Sequence, residues 1–195
     1  MIDMERDLRI VVIFSSDLKA YLLNENLYWT LAEPGPFGNP YPMGTLGGLF
    51  LRLARLDAVQ AMLSADQLRQ LDDARARTDT EMDRWMIQAE GMMLREVKAR
   101  LQSWGAYVRE FASEPGRFWN EYATQVENRA ILDLLLARGG RALDGQGFRG
   151  QIEGLDKPIR NTVQEGPFVW DDSLSAAFSK AACWWLYVEP LAASF

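Results

Sequence analysis

From Ala65 to about Phe111 the chain contains no proline, and its apolar residues recur at helical spacing. Leu68, Leu71, Met82, Trp85, Met86, Ala89, Met92, Met93, Val97, Leu101, Trp104, Val108 and Phe111 form the stripe, with Arg75 and Thr78 as polar slots. This pattern predicts one very long helix over about 65–111, roughly 70 Å at 1.5 Å per residue. Asp73 and Arg77, and Glu96 and Arg100, stand four apart in the favourable order. Thr78-Asp79-Thr80-Glu81 has the form of a capping box, so a break near Thr78 is the alternative. Gly91 and Gly105 weaken the helix by about 1 kcal/mol each relative to alanine.

The rest of the chain reads as shorter helices around this one. Leu8, Val11, Val12, Ser15, Leu18 and Leu22 share a helical face, which favours a helix over 5–24. Ile10–Phe14 alone would read as a strand, but no second strand is evident to pair with it. A helix from Leu46 stops near Leu63, where Ser64-Ala65-Asp66-Gln67 offers a capping box for the next. Pro115 suits the start of a helix running to Arg138, packed antiparallel on the long one. A short helix is expected around Ile152–Val163. Asp171 or Asp172 is expected to cap a last one carrying Leu174, Phe178, Trp184 and Trp185, stopped by Pro190.

Two stretches resist helix formation. Residues 27–45 hold four prolines, three glycines between 34 and 44, and the aromatics Tyr28, Trp29, Phe37 and Tyr41. The aromatics need cover, so an ordered loop is expected there. Residues 139–150 hold five glycines and are expected to be a flexible loop. The expected fold is all-α: a helical bundle of five or six helices in a single domain over the 195 residues.

Composition excludes much chemistry. The chain has no histidine, which removes Ser-His-Asp triads, Cys-His pairs and imidazole metal sites. Its single cysteine, Cys183, forbids an internal disulfide, and its apolar neighbours make it a buried small hydrophobe. The net charge of -6 disfavours nucleic acid and an anionic membrane surface as partners. No window approaches the apolar length of a membrane span, and no secretory leader is evident. The chain reads as acidic and cytoplasmic.

Candidate sites are few. Asp79, Glu81, Asp83 and Glu90 are read as a solvated face, with a hard-cation site as the sharper alternative. Neither paired Glu-x-x-Glu nor Glu-x-x-His spacings occur, and no metal or cofactor is expected. Gly145-Gln146-Gly147-Phe148-Arg149-Gly150 spells Gly-x-Gly-x-x-Gly without the strand that a nucleotide site needs. The helix start at Gly44–Gly48 offers amides to an anion, with Arg52 and Arg55 on the following turns.

Seven tryptophans is a high count; most stand at core-like spacing and read first as helix–helix core, and aromatics are also enriched at interfaces and ligand pockets. Trp85-Met86 and Met92-Met93 are adjacent pairs about 100° apart on a helix, so both members are covered only by a wide interface. The leading expectation is therefore a non-enzymatic interaction or scaffold protein. It would self-associate or bind a partner protein through the long helix, with Trp85, Met86, Met92 and Met93 at the interface. The alternative is a small-ligand-binding or enzymatic bundle. Its pocket would be lined by Trp29, Phe37, Tyr41, Trp170 and Trp185, with Arg52 or Arg55 as anion anchor.

Overall fold

The computed structural model describes residues 3–32, 35 and 40–191. Six α-helices carry the fold: α1 (Met4–Leu22), α2 (Leu46–Ala58), α3 (Ala65–Arg84), α4 (Met86–Ser113), α5 (Pro115–Asp144) and α6 (Phe148–Arg160). Among the described residues the only strands are β1 (Val163–Glu165) and β2 (Val188–Pro190), paired antiparallel with Gln164 opposite Glu189. The fold is thus all-α with one minimal ribbon. The chain divides into two compact units, with the boundary at Glu96 and Val97 inside α4.

In the first unit, α1 packs on both α2 and α3. Ile10–Phe14 is helical because Leu8, Val11, Phe14, Leu18, Tyr21 and Leu22 bury one continuous face. Asp3 caps the helix by accepting from the Arg6 amide at 2.9 Å. The aromatic segment is pinned to α1 at Trp29. Its backbone bridges Gly44 in both directions, at 3.0 and 2.7 Å, and its indole donates to Asp17 at 3.1 Å. Gly44 has to be glycine: a Cβ there would lie 2.8 Å from the Phe14 ring. Ser64 forms its full capping box, accepting from the Gln67 amide while its own amide donates to the Gln67 side chain.

The long helix is two helices, broken at Trp85 rather than at Thr78. Thr78 sits inside α3, where its hydroxyl donates to the Ala74 carbonyl at 2.8 Å. Trp85 leaves the helical region, with φ -116° and ψ 39°. The ladder barely notices: the Trp85 amide still donates to Glu81, and the Ala89 amide to Trp85. Leu71, Ala74 and Thr78 bury one face of α3, and Ala89, Met92 and Met93 one face of α4. Met82 and Trp85, which continue the stripe between them, are only half-buried. Arg77 does not serve Asp73 but reaches the Ser15 hydroxyl on α1.

In the second unit, α4 and α5 run antiparallel, as the short turn at Pro115 implies. Phe111 meets Trp119 and Tyr122, Tyr107 meets Tyr122, and Arg100 donates to Asn128 at 2.8 Å. The glycine-rich stretch 139–150 is mostly helix, which corrects the expectation of a flexible loop. Gly140 (φ 46°, ψ -131°) leaves the helical region and divides α5 into two helical stretches, close to where the first was expected to end, and Gly147 (φ 70°) turns the chain into α6. The Gly-x-Gly-x-x-Gly spelling is therefore a helix-to-helix turn.

The expected C-terminal helix is absent. Asp171 caps only a 3₁₀ turn at Asp172–Leu174, and a second 3₁₀ turn covers Trp184–Leu186 before β2. Local side-chain bonds compete with a helix here: Ser173 donates to Asp171 and Ser175 to the Asp172 carbonyl. Packing completes the reason. Phe168, Trp170, Phe178, Tyr187 and Trp185 meet as an aromatic cluster that a continuous helix could not assemble.

Candidate functional site

The four residues expected at an interface fall into two classes. Met92 and Met93 are core, 0% and 3% exposed. Trp85 and Met86 lie at the α3–α4 break, next to Ile87. Met86 is 59% exposed and Ile87 is 76% exposed, the most exposed large hydrophobic among the described residues. The Trp85 indole donates to Glu81 at 3.0 Å, and the Arg84 guanidinium lies 5.8 Å from its ring centre. These contacts hold the ring against α3, at the residue before the two exposed side chains. The result is an apolar step on rigid helix, set among the carboxylates of Glu81, Asp83 and Glu90.

The α2 start, expected to offer amides to an anion, receives one from the chain itself. Glu96, 1% exposed, accepts from the Gly47 amide at 2.8 Å. Thr45 takes the Gly48 amide at 3.1 Å. Arg52 pairs with Asp7 at 3.3 Å and donates to the Gly48 carbonyl at 2.9 Å. Arg55 lies half-buried one turn further along α2. Tyr41 is buried, and a recess of about 160 Å³ lies between it and Asp3, Glu5, Arg6 and Arg9. Phe37 lies outside the described residues.

Trp170 and Trp185 belong to the second unit and do meet, edge to face, with ring centres 6.5 Å apart. The cation beside them is Arg129, 5.3 Å from the Trp185 ring centre. Its Nε donates to both oxygens of Asp156, at 3.2 and 3.0 Å, and its Nη1 stands 2.6 Å from Asp133. The Trp104 indole donates to Asp156 at 3.3 Å, and the Tyr122 hydroxyl to the Trp185 carbonyl at 2.8 Å. Arg129 Nε is taken up by Asp156, while the buried Arg129 Nη1 and Trp185 Nε1 make no hydrogen bond among the described residues.

The electrostatics follow from that arrangement. Burial works against the Arg129 charge, but Asp133 and Asp156 outweigh it and raise its pKa. Burial pushes the Asp156 carboxyl above the usual carboxylate range, against the pull of Arg129 and Trp104. The Tyr122 and Tyr107 hydroxyls are raised by burial too, so both stay neutral. Burial also pushes the Cys183 thiol up to about 11, which keeps it protonated.

Sequence reasoning passed over Arg129, Asp133 and Asp156, although a signal was present. Tyr122, Val126, Arg129, Asp133 and Leu136 keep helical spacing, so two charges sit in an apolar stripe. Asp156 does the same between Ile152 and Ile159.

One open feature completes the second unit. A groove of about 630 Å³ lies between α4 and α6, with Lys98 and Arg109 among its lining residues and no acidic one among the described residues. Among the described residues no group of three or more carboxylates or thiols could hold a metal ion. No described helix is long and apolar enough to cross a membrane. Comparison with protein-family models, with curated proteins and with solved structures finds no match for this chain.

Proposed function

We propose that this chain is a non-enzymatic interaction protein that self-associates through the apolar step at the α3–α4 break. One observation carries the reading: Trp85, Met86 and Ile87 are consecutive, and the last two are 59% and 76% exposed at the start of α4. Isolated surface hydrophobics are ordinary, but a contiguous run held by its neighbours is the mark of a contact surface. The candidate arginines support the same reading. Arg52 and Arg129 are spent on Asp7 and Asp156, whereas the step has no such cover among its own neighbours. The acidic chain with one protonated cysteine suits a reducing cytoplasm.

Sedimentation velocity over a wide concentration range tests this. Self-association gives species in multiples of 22.2 kDa, and Ile87→Lys returns the chain to monomer without altering its circular dichroism. A monomer at every concentration overturns the reading. Native mass spectrometry showing a monomer with bound small-molecule mass would favour the ligand-binding alternative in its place.

A further inference from the structure

The α4–α6 groove has a definite chemical character. Leu101 of α4 and Phe148 and Leu155 of α6 supply its apolar surface. Lys98 and Arg109 supply its charge, and neither has an ion-pair partner among the described residues. On a chain with net charge -6, a recess whose only ionisable lining groups among the described residues are cations selects an acidic partner. Lys98 and Arg109 are eleven residues apart on one helix, about 16 Å at 1.5 Å per residue, so the recess carries a cation toward each end.

Glycine shapes the recess. A Cβ at Gly105 would press on Leu155 at 3.2 Å, so this position lets the Leu155 side chain lie close against α4. At Gly154 a Cβ would meet nothing within 4 Å, because that position opens into the groove.

The complementary surface is on the same chain. Residues 79–90 carry Asp79, Glu81, Asp83 and Glu90 against the single Arg84, and expose Met86 and Ile87. Glu90 lies three residues past Ile87 and four past Met86, on the same face of α4. We propose that the groove between α4 and α6 receives the Met86–Ile87 step of a second copy of this chain. This rests on the self-association proposed above and names its seat. Ile87 and Met86 enter against Leu101, Leu155 and Phe148, while Glu90 on the same face meets Lys98. This is helix-in-groove recognition. Step and groove are different surfaces, so the contact is heterologous: each copy offers one of each, and assembly proceeds head to tail into rings or filaments. One helix face in one groove is a small interface, so association is weak and depends on protein concentration.

Complementation of two full-length variants tests it. Ile87→Lys spoils the step and leaves the groove intact. Gly154→Leu fills the groove and leaves the step intact, and leucine at an open helical position favours the fold. By sedimentation velocity the native chain assembles beyond a dimer, and each variant alone loses at least tenfold in association constant. Their equimolar mixture regains a species of exactly two chains, because only one sound pair remains. Lys98→Glu reproduces the Gly154→Leu result with no steric change. If Gly154→Leu and Lys98→Glu both assemble like the native chain, the groove is not the seat, although self-association stands. A mixture that stays monomeric overturns the head-to-tail pairing. A native chain that never associates overturns both.

Discussion

The carboxylate of Glu96 accepts a hydrogen bond from the Gly47 amide at 2.8 Å, in a site where Glu96 is 1% exposed. The first turn of α2 thus has its anion built in, supplied from α4. Glu96→Gln keeps an acceptor but removes the charge, and is expected to cost about 1 kcal/mol. Glu96→Ala leaves the buried Gly47 amide without this acceptor and should cost about 1–3 kcal/mol. Urea unfolding of the two variants measures both. Equal stability of the alanine variant and the native chain would show that the contact carries no energy.

Arg129 presents the opposite problem, a charge whose partners cannot be removed singly. Arg129→Met strands the Asp156 carboxylate in the core and should cost about 3–5 kcal/mol at neutral pH. Arg129→Met combined with Asp156→Leu should cost less than Arg129→Met alone, since no uncompensated charge remains. The pH dependence of the single variant has a definite sign. Burial raises the Asp156 carboxyl in the folded chain, so the fold favours its protonated form, more so without the guanidinium. The stability it lends is full below the unfolded carboxyl value, about 3.9, and is lost as pH rises through the folded one. The deficit of Arg129→Met is therefore expected to shrink as pH is lowered from 7 toward 4. Tryptophan fluorescence in urea at several pH values checks this, and a deficit independent of pH would contradict it.

The helices of this fold are legible because burial, capping and periodicity agree at each. Ser64 and Gln67 form the capping box that their spacing implies, and α1 is a helix despite its β-branched run. Where side-chain contacts distant in sequence decide the outcome, the pattern misleads. Leu174 to Val188 has helical spacing, yet the ring contacts of Trp170, Phe178, Trp185 and Tyr187 draw it into turns and a strand. Glycine count suggested a loop at 139–150, but only Gly140 and Gly147 use positive φ, and the others sit in helix or turn. Met93 and Met86 both keep helical spacing. Both lie on α4, yet Met86 on its first residue is exposed and Met93 two turns on is core, a separation that spacing alone does not show.

That separation is directly measurable. Met93 is 3% exposed, so Met93→Lys buries an unpaired ammonium and is expected to cost about 4 kcal/mol or more, lowering the melting temperature. Ile87 is 76% exposed, so Ile87→Lys should change stability by no more than about 0.5 kcal/mol. Thermal melts of the two variants, side by side, decide which methionine-rich positions belong to the core. Similar losses for both would place Ile87 in a packed environment and remove the basis for the apolar step.

Cys183 offers a last check on the second unit through its chemistry. The thiol is half-buried, and burial pushes it up to about 11, with Asp133 adding to the rise and Arg129 opposing it. Only the thiolate attacks a disulfide reagent. At pH 8 the folded chain should therefore react with an aromatic disulfide about 100-fold more slowly than the chain unfolded in urea. The folded rate should climb about tenfold per pH unit until the thiol itself titrates. The linked stability has the matching sign: it is intact below the unfolded thiol value and falls as pH rises through about 11. Equal rates for folded and unfolded chains would mean that Cys183 is open to solvent.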